Sequence, residues 1–149
     1  MRELLWFIHI AGICLWFGST TGVLLVWPSR KSLVNTSRSG VDIRTLTALL
    51  TRTGHIGAGF TALGGTILSF LVQPKSELGS VWLAGMQGLG VVAFFISVFV
   101  LTRLGKRILR AQPVSDEELR VALRYHVWLF VVFVILLTCL VLAAFQPTL

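Results

Sequence analysis

Three histidines, His9, His55 and His126, stand in or at the edge of long apolar runs. Imidazole binds metals and moves protons near neutral pH. An ionisable side chain within a membrane-length apolar segment is costly, so it is by default a candidate functional residue. His9 lies in Trp6-Phe-Ile-His9-Ile-Ala-Gly12-Ile-Cys14-Leu-Trp16, inside a stretch from Leu4 to Trp27 that has no Asp, Glu, Lys or Arg. The spacing puts His9, Gly12 and Trp16 on one helical face. That face is expected to look into a bundle.

His55 is the second residue of an apolar core running from Gly54 to Val72, and His126 is the first of a core running to Phe145. With both cores entered from the same side, and a rise of about 1.5 Å per residue, the two imidazoles are expected at similar depth. Two imidazoles on facing helices are what a b-type haem needs for its axial positions. Gly59, one turn after His55, would let a flat macrocycle approach the backbone. Arg52 and Arg124 are placed to pair with its propionates. In the other half of the membrane, His9, Met86, Cys139 and the deeper Cys14 are soft or borderline ligands of the kind copper(I) favours. A second haem on His9 and Met86 is the other use of that set, with Trp16 packing beneath. The plainer alternatives are that His9 hydrogen-bonds a backbone carbonyl or water, that His55 and His126 are solvated near the interface, and that Met86 and the cysteines only pack.

The elements that must position these residues are membrane helices. The chain has 149 residues, is 55% hydrophobic and 13% charged, which is about half the charged share of an ordinary soluble domain. A single domain, 1–149, with four spans is expected, at about 4–27, 45–72, 81–102 and 117–145. All four prolines, Pro28, Pro74, Pro113 and Pro147, fall after spans, where a helix must stop. Asp42 is a plausible N-cap, and Ser115-Asp-Glu-Glu118 has the form of a capping box. Leu4–Trp27 is too long for a signal-peptide core and lacks an A-x-A site, so it is read as an uncleaved anchor. Small residues at Gly54, Ala58, Ala62, Gly65 and Ser69 form a stripe suited to close helix packing, and Gly18-x-x-x-Gly22 is a second such face.

Arg30, Lys31, Arg38, Arg44 and Arg52 flank one side of the first two spans, and Arg103, Lys106, Arg107, Arg110, Arg120 and Arg124 flank the same side of the last two. The opposite side has only Arg2 and Lys75. The positive-inside rule then predicts an up-down-up-down all-α bundle with both termini outside. The net charge of +7 belongs to these flanks and to anionic lipid, not to nucleic acid. Cys14 and Cys139 make no disulfide framework or C-x-x-C site. The six carboxylates, Glu3, Asp42, Glu77, Asp116, Glu117 and Glu118, lie outside the apolar cores. Hydrolytic and phosphoryl-transfer chemistry is therefore disfavoured, as is a carboxylate proton relay.

The pattern His9-x6-Trp16-x-Gly18 in a first span resembles the copper-resistance D family of small bacterial membrane proteins. It is also similar to related four-span proteins and to the HemJ-type protoporphyrinogen oxidases. Across the second span the resemblance continues more loosely in Thr61-Ala-Leu-Gly-Gly65; elsewhere it rests on size and span count. It implies a four-helix haem- or copper-handling protein of the bacterial inner membrane, with His9 as the family ligand. The oxidases' late-span lysine has no counterpart; that region offers Arg124 before His126.

Three functions are expected in order. The first is a b-type haem protein, an electron carrier or small cytochrome subunit, using His55 and His126, with His9 and Met86 as an outer site. The second is copper handling through His9, Met86 and Cys139. The third is a cofactor-free accessory subunit packed in a homo-oligomer or a larger respiratory or photosynthetic complex.

Overall fold

The computed structural model describes residues 2–26, 43–71, 80–110 and 116–145. The four prolines, the loop cations Arg30, Lys31 and Arg38, the Asp42 cap and Ser115 of the capping box lie outside the described residues. Among those described, everything but Ser80 is helical, and the fold is all-α.

Helix α1 is Arg2–Val26 and α2 is Ile43–Leu71. Helix α3 runs from Val81 to Arg110 with a wide π-helical turn, Ile96–Leu101, in its middle, and α4 is Asp116–Phe145. Glu3 in the first turn of α1 complements the helix dipole. Ser80, in extended conformation, leads into α3, and its carbonyl accepts the Ala84 N–H at 3.1 Å. The last turns of α3 carry Arg103, Lys106, Arg107 and Arg110 outward while Ile108 turns in.

Three of these helices are long and apolar enough to cross a membrane: Arg2–Val26, Val81–Arg110 and Leu119–Ala144. At 25 residues and about 1.5 Å each, α1 spans roughly 37 Å, more than a hydrocarbon core of about 30 Å. Helix α2 is as long but less apolar, because its first half holds three threonines and Arg52 between Thr47 and Gly54. Phe7, Leu25 and Phe70 are at least two-thirds exposed on the outside of the bundle, as apolar side chains facing lipid would be.

The tightest pair is α1 with α2, and glycine is the reason. A Cβ on Gly12 would lie 2.7 Å from the Thr61 backbone nitrogen, and one on Gly57 would lie 2.5 Å from that of Trp16. The two backbones touch where side chains are absent, the small-residue mode of membrane helix association. The Gly18–Gly22 face is corrected in part. Gly18 is exposed with nothing near it, and only Gly22 approaches α2, at Leu50. Helix α4 closes the bundle against α3 and α1, with Phe17 stacked on Phe133 at 5.1 Å. Trp16, Ala58, Leu101, Tyr125, Leu129 and Val132 form the centre of the core.

Candidate functional site

Among the described residues, two polar sites within the bundle are built around a histidine. The first is His9. Its ring lies against α2, where Nδ1 donates to the Thr61 carbonyl at 2.9 Å. In a neutral ring this leaves the lone pair on Nε2, which has no hydrogen bond among the described residues. Two glycines make the seat. A Cβ on Gly65 would sit 2.9 Å from His9 Cε1, and one on Gly64 would sit 3.1 Å from His9 Cβ. Trp6 closes one side, edge-on at 6.4 Å. An imidazole pinned through one nitrogen by a carbonyl, with the other free, has the orientation typical of a metal ligand. The carbonyl bond is also the plainer alternative weighed for His9, so the ring is at minimum a link between α1 and α2.

The second site surrounds His55, one helical turn after Thr51. His55 Nδ1 is 2.7 Å from the Thr51 carbonyl, and Nε2 is 2.8 Å from the Ser97 carbonyl in the π-turn of α3. Thr102 Oγ1 is also 3.0 Å from Nε2. The Thr51 hydroxyl bonds its own helix at Thr47 and meets the Tyr125 hydroxyl at 2.7 Å, which ties α4 into the group. A cavity of about 20 Å³ adjoins these residues and is bounded on the α1 side by Trp16, Ser19 and Thr20. The α1 hydroxyls are turned onto the Trp16 carbonyl, Ser19 at 3.0 Å and Thr20 at 2.7 Å. Trp16, expected beneath an outer cofactor, instead lines the wall of the His55 cavity.

The remaining candidates fall elsewhere. His126 follows Tyr125 by one residue, about 100° around the helix, and is half-buried while Tyr125 is enclosed. Arg52 and Arg124 are exposed. A Cβ on Gly59 would meet nothing within 4 Å, so that face of α2 is open. Cys139 directs its thiol at the Met86 carbonyl, 3.8 Å away, between α4 and α3, and Cys14 is exposed. Among the described residues, no three His, Cys, Asp or Glu side chains come together.

His55 as arranged does not suit the axial role expected of it. Each ring nitrogen lies at hydrogen-bond distance from a carbonyl oxygen, so neither presents a lone pair to an iron. His9 keeps one ring nitrogen without a hydrogen bond among the described residues. The partners of His55 as a set could not be read from the order of residues, although one signal was there: Ser97 and Thr102 are the hydroxyl residues of the third span, 81–102. The π-turn that presents the Ser97 carbonyl leaves no mark in composition, and such turns concentrate at functional sites.

Fold and sites together define, over the described residues, an all-helical protein of membrane character with two histidine sites between its helices. No family model, curated protein or solved structure matches the chain.

Proposed function

We propose that this chain is a small haem-handling protein of the bacterial inner membrane, with His9 as the ligand of a b-type haem. It crosses the membrane four times with both termini outside, and its role is electron transfer as a carrier or cytochrome subunit. The observation that carries this is the seat of His9, with Nδ1 held by the Thr61 carbonyl and Nε2 left for a metal. A further point supports it. Of the stretches that carry the family resemblance, His9 meets Thr61 to Gly65 at this seat, while Trp16 lines the His55 cavity and Gly18 faces outward.

Within the site, Thr61 fixes the ring's tautomer, and Gly64 and Gly65 let it lie against α2. A bound haem supplies one-electron exchange at its iron. Arg52 and Arg124, exposed near the cytoplasmic ends of their spans, are available to lipid phosphate or to propionates of a second group. Copper(I) is the second reading, supported by the same free nitrogen, since imidazole serves either metal.

The absorption spectrum of the purified protein is the test. A Soret band lost in His9→Ala and kept in His55→Ala/His126→Ala supports the His9 site. The reverse pattern returns the bis-histidine pair. A colourless protein that carries copper, lost in His9→Ala, gives the second reading. A colourless, metal-free protein removes both and leaves an accessory subunit, for which co-purification with a larger complex is the next measurement.

A further inference from the structure

Each ring nitrogen of His55 faces a backbone carbonyl, and the ring with two N–H bonds is the form that donates to both. With a proton on Nδ1 alone, the Nε2 lone pair faces the Ser97 carbonyl at 2.8 Å. With a proton on Nε2 alone, the Nδ1 lone pair faces the Thr51 carbonyl at 2.7 Å. Either neutral tautomer sets lone pair against lone pair at hydrogen-bond distance. A ring with both N–H bonds donates to both carbonyls, since each nitrogen of the cation is a donor. The Thr102 hydroxyl lies 3.0 Å from Nε2 and 3.5 Å from the Ser97 carbonyl, so it can accept from a protonated Nε2 while donating to that carbonyl, or donate to Nε2 in a ring protonated on Nδ1 alone.

A second, independent observation lies alongside. Ser97 is 3% exposed, and its Oγ has no hydrogen-bond partner among the described residues. It lines the cavity of about 20 Å³ that also borders His55, Thr51 and Tyr125. A buried hydroxyl without a partner is costly. A cavity must offer roughly 10–15 Å³ and polar partners to hold a water; this one has the volume, and in a mostly apolar wall it is bordered by the Ser97 and Tyr125 hydroxyls.

We propose that His55 and this cavity form an intramembrane proton-binding site served by one internal water. The water bonds Ser97 Oγ and passes a proton to the ring: hydronium and imidazole become water and imidazolium, with no change of oxidation state. The Thr51 and Ser97 carbonyls then hold the cation in place of a carboxylate. Among the described residues, α1, α2 and α3 bring no titratable or charged group to the cavity walls besides His55, and α4 brings Tyr125 alone. Metal binding at His9 is not needed for any of this.

Nitrogen-15 NMR of histidine-labelled full-length protein in lipid nanodiscs tests it, with His9→Ala and His126→Ala, taken singly, assigning the three rings. The expected result is two directly bonded N–H signals on His55 and a cross-peak from water to that ring. Tyr125→Phe is expected to keep both. The proposal is overturned by a His55 ring that shows one unprotonated nitrogen at every pH at which the protein stays helical. It is equally overturned by absence of the water cross-peak, or by loss of the doubly protonated signature in Tyr125→Phe, which would assign the proton to a tyrosine–histidine pair.

Discussion

At the scale of the residue, the two histidines differ in what their nitrogens are left to do. His9 has one nitrogen bonded to the Thr61 carbonyl, and the space for its ring exists because residue 65 is glycine. Gly65→Val is therefore expected to push the ring off its seat and, for the proposed haem, to weaken the Soret band nearly as far as His9→Ala, while leaving helix content unchanged by circular dichroism. Around His55, Tyr125 is 1% exposed and its hydroxyl ends on Thr51 at 2.7 Å. Tyr125→Phe removes that bond alone and should cost about 1 kcal/mol or less, the usual worth of one hydrogen bond between membrane helices. Reversible unfolding in mixed micelles measures it. Thr51→Val removes the same bond from the other side. The two changes together should cost no more than the larger single one plus a few tenths of a kcal/mol, because they share one contact.

At the scale of the element, the α1–α2 pair depends on the absence of side chains at a few positions. Gly12→Val would drive a Cβ to 2.7 Å from the backbone of Thr61, and backbone cannot step aside as a side-chain tip can. Overpacking of this kind costs about 1–3 kcal/mol, so a clear drop in melting temperature is expected. Gly18→Ala and Gly59→Ala face open space and should stay within about 0.5 kcal/mol of the parent. The stripe of small residues in α2 was legible from spacing. The sequence could not separate Gly12 from Gly18, since both are glycines in one apolar run, and only the crossing point of two helices decides which one is pressed. The π-turn in α3 is a similar case. It widens the helix at Ser97 without a proline or glycine to mark it, and the Ser97 carbonyl it presents meets His55.

At the scale of the whole molecule, the basic residues set the expected orientation. In a variant with Cys14 and Cys139 replaced by alanine, Arg38→Cys should react with an impermeant maleimide only after the cells are opened. Glu77→Cys should react in intact cells. The opposite result would invert the bundle and move the His9 seat to the cytoplasmic half. The broad apolar exterior, with Phe70 79% and Phe7 68% exposed, is matched to lipid, so detergent or bilayer is required for every measurement above.

Amino-acid order alone determined the helical class, the membrane character and the short list of histidines, because hydropathy over some twenty residues and the placement of charges and prolines are properties of consecutive positions. It also marked His9 and Trp16 as residues of one inward face. Which carbonyl of a neighbouring helix His9 and His55 meet was settled only by how the helices cross. Matched depth suggested that His55 and His126 would face each other, but depth fixes height along a helix and says nothing of rotation about it. Rotation turned Tyr125, not His126, toward Thr51, and it set His55 between two backbone carbonyls separated by more than forty positions in the chain.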